Sequence, residues 1–323
     1  MTAYPSYSVA IRTLGKSGEL FARLIRSLQT QTIAPQSIFV YIADGYPLPS
    51  RVADEQYIYC PKGMVSQRAL PFNEIDSDFI LFCDDDVEFG DDSVERLMEA
   101  LVGEDGDCIS PNTFPNHTWS FREKLGQAFF HGILPTHSRK YAFRIRRNAR
   151  YSYCVNPRVV MRSQSCAGPV ILVKKSIYQR LHFEDEIWMD TFSYALGEDQ
   201  LFSYKLFIMG FSLLVHFKSG VVHNDGRTSR ITHEDQSDYT ERLLRYVIWY
   251  RSIYQRDTAR MLKIIDSLSF YCDWLWMLLV AIMELIRKHK SYKVKNHFTS
   301  LKAAKKYVHT YKFESIPQWN ENT

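Results

Sequence analysis

Short apolar runs alternate with stretches whose apolar residues recur every third or fourth position along the first third of the chain. The run at 7–13 (YSVAIRT) reads as a buried strand, and 17–30 places Leu20, Leu24, Ile25 and Leu28 on one helical face. A second strand is expected at 37–42, ending in Ala43-Asp44-Gly45, and a short third at 57–60. A helix at 67–75, a strand at 78–83 and a helix at 93–101 follow, and much later Gly197-Glu198-Asp199-Gln200-Leu201 opens a helical stretch before the apolar strand Val221-Val222-His223. Strands alternating with helices imply an α/β architecture built on a mostly parallel, doubly wound sheet, whose ligands bind at the carboxyl ends of the strands.

The stretch 267–286 (SLSFYCDWLWMLLVAIMELI) is the membrane candidate. Its charge-free part, Trp274 to Met283, is shorter than the ~20 residues of a bilayer crossing, and Asp273 and Glu284 bracket it. It reads as the core helix of a C-terminal subdomain or as a helix lying in a membrane interface, the second supported by its aromatics and the basic run behind it. Two regions are expected: residues 1–235 carrying the sheet, and a helical, basic, membrane-associating region at 236–323.

Apolar residues make up 46% of the 323 and charged residues 24%, which describes a globular protein and excludes a disordered one. The formal net charge is only +4 but unevenly spread. No Asp or Glu occurs from Lys124 to Phe183, where Arg144, Arg146, Arg147 and Arg150 crowd together, nor from Leu285 to Phe313, which is rich in lysine. Such blocks are solvated faces or docking sites for phosphates and anionic headgroups. The cysteines at 60, 83, 108, 154, 166 and 272 form no C-x-x-C pair, and the N-terminus has no charged segment followed by an apolar one. A reducing cytoplasmic setting without a secretory signal is expected, peripheral to the inner face of the membrane.

The strand at 78–83 runs into Asp84-Asp85-Asp86. Adjacent carboxylates repel one another, and a divalent cation between them offsets that cost; the plainer alternative is an acidic, solvated turn. Glu198-Asp199 and His223 are polar features on two further segments that could converge with the triplet on one metal and one substrate. Neither G-x-G-x-x-G nor G-x-x-x-x-G-K-[ST] is present, so the dinucleotide and P-loop phosphate cradles find no support.

In this order and spacing the elements resemble the inverting family 2 glycosyltransferases of the GT-A fold over roughly the first 230 residues. The resemblance rests on Val9 to Thr13, Ser27-Leu28-Gln29-Thr30-Gln31-Thr32, Val40 to Gly45, Arg68 and Asp84-Asp85-Asp86. It continues in Cys166-Ala167-Gly168, Glu198-Asp199, Leu201, Lys205, Gly210 and His223. It implies a doubly wound mixed sheet with a helical C-terminal extension, and metal-dependent transfer of a single sugar from a nucleotide-sugar donor, UDP- or dTDP-type, to a hydroxyl. The acceptor implied is a glycan or lipid-linked, anionic molecule of surface polysaccharide biosynthesis; nucleic acid is not an expected partner. Asp86, Asp84 and His223 would hold Mn²⁺ or Mg²⁺; Thr13, Asp44, Arg68, Asp84 and Asp85 would contact the donor, and Arg227 and Arg230 would close over its diphosphate. Asp199 would be the general base, ionised and held at low pKa by a helix N-terminus, and Glu198 would orient the acceptor.

The chain departs from the family at Ala43, where an acid is common, at Ala69 in place of Asn and at Pro71 in place of Gly. The Q-x-x-R-W motif of processive synthases is absent, which favours single addition. Two alternatives stay open. A GT-A nucleotidyltransferase would share the acidic metal ligands, and Leu14-Gly15-Lys16-Ser17-Gly18 faintly echoes its Gly-rich loop; a non-catalytic carbohydrate-binding protein would share the fold alone.

Overall fold

The computed structural model describes residues 4–113, 121, 140–154, 157–166, 168–192, 194–224, 233–255 and 259–309. Strands β1 (Tyr7–Thr13), β2 (Ile38–Ala43), β3 (Gln56–Cys60) and β4 (Phe79–Asp84) are mutually parallel and form half of an eight-stranded sheet. After β4 come β5 (Val87–Phe89), β6 (Cys108–Pro111), the hairpin of β7 (Phe143–Ile145) and β8 (Tyr151–Tyr153), β9 (Val160–Arg162), β10 (Val170–Lys174), β11 (Leu213–His216) and β12 (Val221–His223). The sheet order is β3-β2-β1-β4-β10-β6-β11-β9. Because β10 runs antiparallel to both β4 and β6, the sheet is mixed, less parallel than the element alternation suggested. A strand buried on both faces is a continuous apolar run in either direction, so its sequence carries no sign of its orientation.

Each face of the sheet has its own core. Helices α1 (Glu19–Gln29) and α2 (Ser93–Gly103) pack Phe21, Leu24, Ile25, Leu28, Leu97 and Met98 against Val9, Ile11, Val40 and Leu81. On the other face Ala10, Phe39, Ile80 and Phe82 meet α3 (Lys175–Leu181), a 3₁₀ segment (Phe183–Thr191) and α4 (Glu198–Ile208). The C-terminal helices join this second core: α5 (Glu234–Trp249) contributes Leu243, Leu244 and Val247, α6 (Arg260–Lys288) Phe270 and Trp274, and α7 (Ser291–Tyr307) Ala304. Helix α6 is the one helix among the described residues long and apolar enough to cross a membrane.

The helix expected at 67–75 is not formed. Residues 63–69 make a single turn, with the amides of Gln67 and Ala69 donating to the carbonyls of Gly63 and Val65. Pro71 removes the next donor and disfavours helical backbone at Leu70, and Phe72 takes a positive φ of 46°. The turn is pinned by Asp190, whose carboxylate accepts from the amides of Val65 (3.0 Å) and Ser66 (2.7 Å).

Two of the crowded arginines at 144–150, Arg147 and Arg150, find acids outside their acid-free neighbourhood. Arg147 Nη1 reaches Asp266 Oδ1 at 2.6 Å, and Arg150 Nε reaches Asp273 Oδ1 at 2.9 Å with Arg245 on the other oxygen. Their partners come from α6, more than a hundred residues away in sequence.

Candidate active site

In a doubly wound sheet the crevice opens where the strand order reverses, here between β1 and β4. The parallel register sets Arg12 beside Asp84 at the carboxyl ends of these strands. Arg12 Nε donates to Asp84 Oδ1 at 2.5 Å and its Nη2 to Oδ2 at 3.2 Å, while Nη1 reaches Glu198 Oε1 at 2.7 Å and the Met64 carbonyl at 2.8 Å. Beneath it Arg68, 1% exposed, binds both oxygens of Glu198 (3.1 and 2.9 Å) and the Gly168 carbonyl, and lies 3.6 Å from Asp84. Two arginines and two carboxylates thus neutralise one another in a buried floor joining β1, the 63–69 turn, β4 and α4. Burial works to raise the pKa of Asp84, but Arg12 and Arg68 hold it below the usual carboxylate range.

Three site expectations change in consequence. Arg68 is sealed under the floor and cannot itself contact a donor. Glu198, 2% exposed with its carboxylate enclosed by two guanidinium groups, is kept from direct contact with an acceptor and acts through Arg12. Asp84 has both oxygens engaged by Arg12, so a metal would have to share them with the guanidinium group.

The other two aspartates of the triplet diverge. Asp85 accepts a short hydrogen bond from Thr13 Oγ1, which in turn accepts from the Gly15 amide at 2.8 Å. Burial raises the Asp85 pKa despite the hydrogen bonds of Thr13 and Ser17. Asp86 faces His223. The two-stranded ribbon of β5 and β12 pairs Val87 with His223, and the Asn224 amide donates to the Asp86 carbonyl at 3.0 Å, so β12 is held directly against the triplet. His223 Nε2 lies 3.1 Å from both carboxylate oxygens of Asp86. Asp86 Oδ1 is shut off from solvent, and the His223 ring is its one close polar neighbour among the described residues.

That buried carboxylate oxygen beside an imidazole fits a divalent cation. Among the described residues no group of three His, Cys, Asp or Glu side chains is arranged about one point, so Asp86 and His223 would be its protein ligands. A site with few protein ligands, completed by substrate phosphates and water, is the usual manner of Mg²⁺, and the imidazole suits Mn²⁺.

On the other side of the floor stands Asp199, in the first turn of α4. Its Oδ2 accepts from the Gly168 amide at 2.9 Å and its Oδ1 from the Gln200 amide at 2.8 Å. A Cβ on Gly168 would fall 2.1 Å from Asp199 Cβ, so this approach of the loop before β10 to the helix requires glycine. The low pKa expected for a carboxylate in a first helical turn is not found. Burial and the neighbouring Glu198 charge outweigh Arg68 and the amide hydrogen bonds, and the Asp199 carboxyl is pushed up to about 6.

Asp44 is exposed at the carboxyl end of β2, next to Tyr46, whose ring carries Lys16 (4.9 Å) and Lys62 (5.0 Å) on it. The Gly-rich loop echo at 14–18 therefore directs its lysine to an aromatic ring. Arg227 and Arg230, and Ala167 of the small-residue phrase, lie outside the described residues. Sequence reading missed Arg12, the hub of the floor; its signal was a lone charge inside an otherwise apolar strand. Gln67 was missed too: it donates to the carbonyls of Thr13 and Tyr41 at 3.1 Å and ties the 63–69 turn to the ends of β1 and β2.

No protein family's sequence profile matches this chain, and no curated protein matches it in sequence. Solved structures do match in fold. The mannosyltransferase PcManGT from Pyrobaculum calidifontis, solved in complex with GDP-Man and Mn²⁺, superposes with a TM-score of 0.52 at 10% identity over 96% of this chain and 78% of that one. TarS of S. aureus matches at 14% identity and a TM-score of 0.47, over 82% of this chain and 43% of that one. The architecture is a mixed α/β sheet of the GT-A type with a helical C-terminal part.

Proposed function

We propose that the protein is a metal-dependent glycosyltransferase of the inverting, family 2 type. It would move one sugar from a nucleotide-sugar to a hydroxyl of a glycan or lipid-linked acceptor in surface polysaccharide assembly, at the inner face of a membrane. The observation that carries this reading is the meeting of three segments at the β1/β4 crevice: the Asp84–Asp86 turn, the Glu198-Asp199 helix start and His223, joined by the Arg12–Arg68 floor. The fold shared with a mannosyltransferase solved with GDP-Man and Mn²⁺ supports it.

In this reading Asp86 and His223 hold Mn²⁺ or Mg²⁺, which when bound supplies Lewis-acid stabilisation of the departing nucleoside diphosphate. Asp199 accepts the proton of the acceptor hydroxyl as that oxygen attacks the anomeric carbon, and a carboxyl poised near neutral pH suits the task. Arg12 keeps Asp84 and Glu198 in place, so the donor side and the base side are set in one geometry. Thr13 and Asp85 lie at the β1 end where a nucleoside would sit, and Asp44 is free to accept from the N–H of a uracil, thymine or guanine ring. Arg227 and Arg230 are assigned to the diphosphate by their chain position after His223.

The test is a panel of UDP-, dTDP- and GDP-sugars scored for Mn²⁺-dependent hydrolysis and for thermal stabilisation, since a ligand of the native state raises the apparent melting temperature. Hydrolysis of one donor, lost in Asp86→Ala, is expected. Pyrophosphate release from a nucleoside triphosphate with no donor cleavage would mark a nucleotidyltransferase, and neither activity would leave a binding protein.

A further inference from the structure

The ionic and apolar residues of α6 separate onto opposite sides in a way that its composition conceals. At 3.6 residues per turn, Met261, Ile264, Ile265, Leu268, Tyr271, Cys272, Leu275, Leu279, Ile282, Met283 and Ile286 fall on one stripe, and all are exposed, Leu275 at 58% and Ile286 at 72%. The acids of the helix, Asp266, Asp273 and Glu284, stand on the opposite side and each is neutralised from the body: by Arg147, by Arg150 with Arg245, and by Lys293. The cations Arg260, Arg287 and Lys288 are exposed at the two ends.

Alongside runs α7, whose exposed face carries Lys295, Lys302, Lys305 and Lys306, and Lys305 Nζ lies 6.0 Å from the centre of the Tyr271 ring on the stripe. At the N-terminal end the stripe opens into a groove of about 380 Å³ lined by Tyr254, Arg260, Lys263, Ile264, Ser267 and Leu268. Lys263 Nζ sits 5.2 Å above the Tyr254 ring there.

We propose that α6 is an in-plane membrane anchor for an anionic phospholipid surface: the stripe enters the acyl boundary, the α7 lysines lie on the headgroups, and the groove takes a headgroup phosphate between Arg260 and Lys263. An apolar face this long is exceptional on a soluble surface, and a helix with an apolar side and a cationic margin is the form that lies in an interface. Crossing the bilayer is excluded by the inner side, because leaving the body would strip Asp266 and Asp273 of Arg147, Arg150 and Arg245. A second copy fits less well. Two-fold pairing of the stripe would set like charges together: parallel helices put each cationic end on its own equivalent, and antiparallel helices put Arg260 against Arg287 and Lys288 and bring the two lysine rows to the same flank. Docking deepens the reading above by naming the surface at which a lipid-linked acceptor is met, and it depends on that reading for nothing else.

The experiment is co-sedimentation of the full chain with vesicles of phosphatidylcholine alone or with phosphatidylglycerol, beside donor hydrolysis in the absence of lipid. A fluorophore sensitive to polarity on Cys272, the one exposed cysteine, reports insertion. Expected are binding to the anionic vesicles, a blue shift of the Cys272 label, at least a tenfold loss of partition for Leu275→Glu with Leu279→Glu and for Lys302→Glu with Lys305→Glu, and unchanged hydrolysis in both variants. Absence of binding to anionic vesicles, or equal binding by parent and variants, overturns the anchor. A dimer in solution dissolved by Leu275→Glu with Leu279→Glu, without lipid binding, assigns the stripe to a second copy instead. Loss of hydrolysis in the parent with vesicle binding intact would remove the catalytic reading and leave the anchor standing.

Discussion

Arg12 satisfies four acceptors with one guanidinium group, and among the described residues no other side chain touches both Asp84 and Glu198 so closely. Arg12→Lys keeps the charge but loses the planar fork; transfer should fall at least tenfold with the fold's circular dichroism unchanged, and parental rates would show the floor to be dispensable. Asp199→Asn should leave donor and metal affinity intact while lowering kcat by ~10²- to 10⁴-fold, the usual loss with a general base; parental turnover would place the base elsewhere. The pH profile follows from the same carboxyl. Its folded pKa is raised to about 6, so it is protonated and inactive below that point and ionised above. The rate should climb about tenfold per pH unit up to about 6 and then level off; a flat profile across that range would contradict the assignment. Asp86→Ala and His223→Ala should each weaken Mn²⁺-dependent donor binding in calorimetry, and an unchanged His223 variant would leave Asp86 alone at the metal.

Between elements, the tight joint is the contact of the loop before β10 with the start of α4. Gly168→Ala would drive a methyl group into Asp199, and overpacking of this kind costs about 1–3 kcal/mol; a lowered urea midpoint together with reduced kcat is expected, and a shift in neither would mean the joint relaxes freely. The second joint is ionic. Asp273 is 6% exposed, and removing it by Asp273→Ala takes the ion-pair partner from the buried Arg245 and the half-buried Arg150, with Glu241 left as a nearby acid. Breaking such a pair from one side costs about 3–5 kcal/mol, to be read as a fall in stability by chemical denaturation. Elements whose signal is local were legible: β1, α1, β2, β3, β4, α2 and β12 stand within a few residues of where apolar periodicity places them. The turn at 63–69 was not, because Pro71 and the capping contact from Asp190 override a helical apolar spacing, and the second of these lies more than a hundred residues downstream.

Taken together, the sheet and the C-terminal helices share one hydrophobic core, with Leu244 against Gly197 at the start of α4 and Phe270 and Trp274 in the cluster that also holds Phe82. Unfolding in urea is therefore expected as one transition, with tryptophan fluorescence and far-ultraviolet dichroism coincident; two separated transitions would make the C-terminal helices an independent unit.

From residue order alone came the α/β architecture, the acidic turn after β4, the Glu198-Asp199 pair, the reach of β12 to His223 and the apolar character of α6. These are carried by periodicity and by charges placed where a strand should stop, which are properties of neighbouring residues. Folding supplied the partnerships. Arg12 finds Asp84 across a strand pair and Glu198 across 186 positions; Arg68 goes under the floor; Asp199 is partly desolvated and loses its low pKa; and Arg147 and Arg150 find their acids on α6. Charge pairing and desolvation depend on distance in space, and chain closure between remote segments leaves no mark on the spacing of residues along the chain.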